Sequence, residues 1–89
     1  MAKLFVLAVH DKAVDAFNRP IFVPARGAGI RAFMDEVARK SPDNPISQHP
    51  GDFALYELGW FDEESGRIEC LDIPDRLCQA SDFVFGDDK

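Results

Sequence analysis

An unbroken apolar run, Leu4-Phe5-Val6-Leu7-Ala8-Val9, stops at His10-Asp11-Lys12. Its length and its Phe and Val content predict a central strand buried on both faces. A polar turn region from Asp11 to Arg19 leads to Pro20-Ile21-Phe22-Val23-Pro24. The flanking prolines place this second strand at a sheet edge, expected to be antiparallel to the first. Ala25-Arg26-Gly27-Ala28-Gly29 then opens a helix. Ile30, Phe33, Met34 and Val37 recur at i, i+3, i+4 and i+7, with Arg31, Asp35 and Arg39 off that stripe.

Ser41 to Gly51 carries three prolines and reads as a surface connection. Beyond it, Phe53 to Phe61 forms a strand, Asp62-Glu63-Glu64-Ser65-Gly66 a hairpin loop, and Arg67 to Ile73 the return strand. Pro74-Asp75 is expected to start a short helix with Leu77, Cys78, Ala80 and Ser81 as its body. Both halves then read hairpin followed by helix. The expectation is a single small α+β domain with an antiparallel sheet of about four strands and two helices in ββα-ββα order, a pattern compatible with duplication. Its parts are a first ββα half (1–40), a proline-rich loop (41–52), a second ββα half (53–85) and a short tail (86–89).

In the strand Phe53 to Phe61, alternation puts Phe53, Leu55, Glu57, Gly59 and Phe61 on one side and Ala54, Tyr56, Leu58 and Trp60 on the other. Both sides are largely apolar. Two helices on one face of the sheet leave the other face uncovered, and aromatic side chains there call for a partner.

Composition narrows the class. The 89 residues are 46% hydrophobic, with eight Phe, too apolar for a disordered chain and enough for one thin core. No apolar run approaches a membrane span, and no targeting segment is read at the start. Cys70 and Cys78 are too few for a secreted disulfide framework and are expected to be small structural hydrophobes in a reducing cytoplasm. The net charge of −6 is unevenly distributed. Residues 1–40 hold seven basic and four acidic side chains, a balance of +3, whereas residues 41–89 hold three basic and twelve acidic ones, a balance of −9. Such asymmetry is a hint of a localised anion-binding face, against the plainer reading of a soluble acidic protein with randomly scattered charge.

One series of residues has a counterpart in a known family: Asp11, Pro20, Ile30-Arg31-x-Phe33 and His49-Pro50-x-Asp52-Phe53-x-Leu55-x-x-Leu58-Gly59-x-Phe61-Asp62-x-x-x-Gly66. In these positions the chain resembles the small nonstructural protein of gokushovirus-type microviruses, over roughly Leu4 to Val84. The resemblance implies a phage protein made in the host bacterial cytoplasm, absent from the capsid, and described as DNA-binding with a role in single-strand genome synthesis. It supplies no catalytic or binding residues. The acidic second half departs from such a label, because it repels a phosphate backbone.

Arg26-Gly27-Ala28-Gly29 with Arg31 sets two guanidinium groups at a helix start, where free N–H groups attract anions, but it lacks nucleotide-loop spacing, and a plain turn is the simpler reading. Arg31 and Arg39 share a broad helix face flanked by Lys40; with Arg19 and Arg26 they are the candidate phosphate contacts, against the commoner reading of a solvated face. Tyr56 and Trp60 are candidates for base stacking or for a homo-oligomer interface, most simply a two-fold dimer. His10, Asp11 and Asp15 are too few to make a metal site, Asp62-Glu63-Glu64 lacks the alternation of a calcium loop, and a Cys78 nucleophile served by His49 matches no signature. No catalytic residue, metal or cofactor is expected. The leading expectation is a non-enzymatic replication accessory that binds single-stranded DNA. The rival is an acidic interaction module that recruits a phage or host replication protein without touching DNA.

Overall fold

The computed structural model describes residues 3–84. Strand β1 (Lys3–Asp11) is central, as its apolar run requires, and Val6, Leu7 and Ala8 are all buried. On one edge it pairs antiparallel with two short strands: β2 (Ala16–Phe17) opposite His10 and Asp11, and β3 (Ile21–Val23) opposite Phe5 to Leu7. β4 (Phe53–Asp62) pairs along the other edge and β5 (Arg67–Gln79) lies outside β4, both antiparallel. The α+β class and the antiparallel sheet agree with the sequence; β2 is an added strand inside the expected turn region.

Helix α1 (Arg26–Ala38) crosses one face of this sheet. Its buried positions are Gly29, Phe33 and Val37, spaced by four, whereas Met34 of the expected stripe is exposed. Gly29 is needed for close approach, because a Cβ there would run into Leu7 Cδ1 on β1. Phe33 and Val37 meet Leu7, Phe53, Leu55 and Ala80 in the core, with Val23, Ile46, Leu77 and Phe83 around them. The proline-rich connection also has structure: helix α2 (Pro45–Gln48) and a 3₁₀ turn (Pro50–Asp52). Buried Asn44 ties α2 to α1. Its Nδ2 donates to the Glu36 and Arg39 carbonyls at 2.8 Å each, and its Oδ1 accepts from the Ile46 N–H at 3.2 Å. The Arg39 carbonyl at the end of α1 is thereby satisfied, and the Glu36 carbonyl, which already accepts the Arg39 N–H at 3.2 Å, gains a second donor.

The second helix expected from Pro74 to Ser81 is corrected by the structure. β5 continues to Gln79, and only Ala80–Phe83 turns, as 3₁₀. Eight residues are too few for a helix to stand on local propensity, and the alternative satisfies the open edge of β4: Ala54, Leu55, Tyr56 and Glu57 pair with Gln79, Cys78, Arg76 and Asp75. The ββα-ββα repeat therefore does not form. Both α-helices precede the second hairpin, and they lie with the Ala80–Phe83 turn on one side of the sheet.

Irregularities in the pairing decide which side chains face which way; one of them, Leu77 between Cys78 and Arg76 on β5, sets Arg76 opposite Tyr56. Between Glu57, opposite Leu7, and Gly59, opposite Val6, β4 carries the extra residue Leu58. A one-residue bulge reverses the alternation beyond it. Leu7, Glu57 and Phe5 point to the helix side, and Trp60, opposite Phe5, joins them; Tyr56, opposite Ala8, points to the bare side. The expected common face of Tyr56 and Trp60 is thus split. On β5 the pairing passes from Asp75 to Cys70 across the same point, so four residues, Leu71 to Pro74, stand against Leu58. At Gly59 a side chain would strike the Glu69 carbonyl oxygen of β5.

Candidate nucleic-acid interface

The basic residues singled out from sequence do not form one free patch. Arg26, at the start of α1, is committed to Glu57: its Nε donates to Glu57 Oε1 at 2.5 Å and its Nη2 to Oε2 at 3.4 Å, with the guanidinium 4.5 Å from the Phe5 ring centre. Glu57 is only 2% exposed, so Arg26 is the counter-charge that makes its burial tolerable. The hydrogen bond from Arg26 to Glu57, and then the charge of Glu57, raise the Arg26 pKa above its ordinary value. Arg39 is likewise held by acids, with Nη2 at 2.6 Å from Glu36 Oε2 and Nη1 at 3.7 Å from Asp43 Oδ1. Lys40 is exposed beside it. Arg19, between β2 and β3, and Arg31, on α1, are exposed and make no ion pair among the described residues.

The bare side of the sheet assembles a different set. His10 and Phe17 are cross-strand partners, and with Tyr56 they form a ring cluster: centroids are 4.7 Å apart for His10 and Phe17, 5.5 Å for Phe17 and Tyr56, and 5.8 Å for His10 and Tyr56. Phe22 and Phe61 make a second edge-on pair at 5.8 Å on the same side. Phe17 and Phe22 each remain more than two-fifths exposed, so the clusters present ring surface outward. Trp60 lies on the opposite side with the Lys3 ammonium 4.8 Å above its ring.

At the β2 end of this face lies a cleft of about 140 Å³ lined by His10, Lys12, Tyr56, Arg76 and Gln79, with Ala54 as floor and Gly51 and Asp52 as one wall. Gln79 organises it. Its Nε2 donates to the carbonyls of Pro50, Gly51 and Phe53 at 3.3, 3.1 and 2.9 Å, fixing the wall. Its Oε1 accepts from Arg76 Nη1 at 3.1 Å, which aims the guanidinium. Lys12 is set by its backbone N–H, bonded to the Asp52 carbonyl at 2.7 Å. His10 Nε2 lies 3.2 Å from Asp15 Oδ1, in a turn where Asp15 takes a left-handed backbone conformation. Lys12 and Arg76 thus face the single carboxylate of Asp52.

Of this cleft only Tyr56 was singled out as a binding residue from sequence; His10 was weighed as a metal ligand. Arg76 fell inside the expected helix, and Lys12 carried no signal beyond its charge. Glu57 did carry one, an acid on the Phe53–Leu55 side of a strand, which marks a buried charge with a partner. The other candidates sit apart. Cys70 is exposed, contrary to the buried role expected of it, and Cys78 is part-buried, its thiol pKa pushed up by burial and by the Asp82 charge, away from the thiolate a nucleophile needs. Among the described residues no group of three His, Cys, Asp or Glu is placed to hold a metal ion, and no helix is long and apolar enough to cross a membrane.

Comparison with known proteins adds two findings. The family model described as Phage ORF5 protein matches residues 4–83. Protein ORF5 of Chlamydia phage 1 is 28% identical over 71 residues, which covers 78% of this chain and 74% of that protein. No solved structure matches significantly.

Proposed function

The chain belongs to the Phage ORF5 protein family, as a gokushovirus-type small phage protein, and from that premise we propose that it is a non-enzymatic accessory factor that binds single-stranded DNA during genome replication. It acts in the host bacterial cytoplasm and is not part of the capsid. The observation that carries the reading is the sheet face left uncovered by the helices, where His10, Phe17 and Tyr56 cluster beside Lys12 and Arg76. Sequence-tolerant single-strand binders combine these two elements, ring faces for the bases and cations for the backbone. The acidic balance is compatible with it, because many acids lie elsewhere. Glu57 and its cross-strand neighbour Asp75 are on the helix side, Glu36 and Asp43 surround Arg39, and Asp62 ends β4 with Glu63 and Glu64 in the loop beyond it. Anisotropy titration of a labelled oligothymidylate is the test. Binding should weaken with salt at a log–log slope of about −0.7 per phosphate engaged. Absence of binding at low salt refutes it.

A second reading rests on β5, the outer strand, where Ile68 and Ile73 are 57% and 78% exposed. In that reading the protein is an acidic module docking a phage or host replication protein, or a second copy of itself as a dimer, along this edge. Light scattering at micromolar concentration tests the self-association: a monomeric mass removes the dimer.

A further inference from the structure

The cleft at the β2 end of the bare face has a shape and charge more specific than general attraction to DNA. We propose that it seats a single nucleotide, with the phosphate between Lys12 and Arg76 and the base against the Tyr56–Phe17 rings. This rests on the nucleic-acid reading above and names the part of the ligand recognised.

Size gives the first argument. Pockets that enclose a whole small molecule run to roughly 300 Å³ or more, and this one is about 140 Å³. It accommodates a compact polar group while the remainder of the ligand lies on the open sheet. Charge then selects the group. Lys12 and Arg76 oppose the one carboxylate of Asp52, and neither cation has an ion-pair partner among the described residues. Arg76 has one guanidinium nitrogen bonded to Gln79, which fixes the plane and leaves its other N–H groups to donate. An anion with several acceptor oxygens satisfies a fixed guanidinium and an ammonium at once, and phosphate does so better than a carboxylate. The neighbouring ring cluster supplies the second half. Tyr56 both lines the cleft and meets Phe17, so a flat group attached to the seated phosphate reaches exposed aromatic surface. Phosphate and planar ring side by side describe a nucleotide, whether free or one unit of a DNA strand.

Oligothymidylate and thymidine monophosphate, each titrated into wild type, Lys12→Ala/Arg76→Ala and Arg67→Ala, separate the possibilities. Arg67, at the far end of β5, controls for loss of an exposed charge. Lys12 and Arg76 are exposed, so the double variant should fold, and circular dichroism checks that. Expected for the double variant are oligonucleotide affinity reduced about tenfold or more and a salt slope shallower by about 0.7, that of one lost phosphate, with Arg67→Ala close to wild type. An unchanged affinity and slope in the double variant, with wild type still binding, overturns the nucleotide seat and leaves the DNA reading standing. If wild type ignores the oligonucleotide but binds the mononucleotide through Lys12 and Arg76, the DNA reading fails and the seat survives for free nucleotides. Binding of neither ligand overturns both.

Discussion

Replacing Tyr56 and Trp60 separately by Leu should have unequal effects on DNA binding, although the two aromatics are four residues apart on one strand. The extra residue Leu58 turns Trp60 to the helix side, opposite Phe5 and beneath Lys3, while Tyr56 stays on the bare face with His10 and Phe17. Base–aromatic stacking contributes about 1 to 3 kcal/mol per base, so Tyr56→Leu is expected to weaken single-strand affinity by about 5- to 150-fold. Trp60→Leu should leave affinity within about twofold, the usual reach of a substitution that touches no ligand. Neither change removes a cation, and both should preserve the salt slope. Tyr56→Phe separates ring from hydroxyl and should retain most of the affinity. Anisotropy titrations at two salt concentrations, with thermal midpoints to confirm folding, give the comparison. Equal losses for Tyr56→Leu and Trp60→Leu, or a larger loss for Trp60→Leu, would refute the assignment of the bare face as the binding surface.

Other perturbations address the frame that carries this face. Asn44→Ala leaves the Glu36 and Arg39 carbonyls without their side-chain donor. It should cost about 1 to 3 kcal/mol, read as a lower midpoint in urea. Gly59→Ala forces a Cβ against the Glu69 carbonyl of β5, and should destabilise by more than about 1 kcal/mol in the same assay. Acid should also destabilise the fold. Hydrogen bonds hold three carboxyl pKa values below ordinary: Arg39 acts on Glu36, the Ser41 hydroxyl on Asp43, and the Glu64 N–H followed by the Ser65 hydroxyl on Asp62. A depressed folded-state pKa contributes stability that is present above the unfolded value, near about 4, and is lost as pH falls through the folded one. Thermal midpoints should therefore decline from about pH 5 to pH 3, and a flat profile contradicts those interactions.

The central strand, the antiparallel partners and α1 were legible because each rests on a local pattern. The Leu4–Val9 run, the prolines around Ile21–Val23 and the helical spacing of Phe33 and Val37 need little from the rest of the chain. What was not legible depended on neighbours. Pro74 to Gln79 has the look of a helix start, yet the unpaired edge of β4 recruits it as strand. Alternation read Tyr56 and Trp60 as companions because an inserted residue leaves no mark in composition. Arg26 looked like a free cation until its partner was located 31 positions away, buried beneath α1. The cleft draws on residues 10, 12, 51, 52, 54, 56, 76 and 79, and no spacing within the sequence announces such a gathering.

The bulge at Leu58 also bears on how such a protein changes over evolutionary time. Point substitution alters one side chain and leaves its direction intact, whereas a codon gained within a strand either slips the register and turns every following side chain over or is absorbed as a bulge that keeps the downstream pairing. In β4 the second outcome is seen, because pairing with β1 resumes at Gly59 directly after Leu58 and runs on to Asp62. A single in-frame deletion of Leu58 would therefore close the bulge and leave Trp60 opposite Phe5 and Phe61 opposite Leu4, each on the side it now occupies. Descendants of one ancestor can in this way gain or lose a residue of β4 while keeping the ring surface they display.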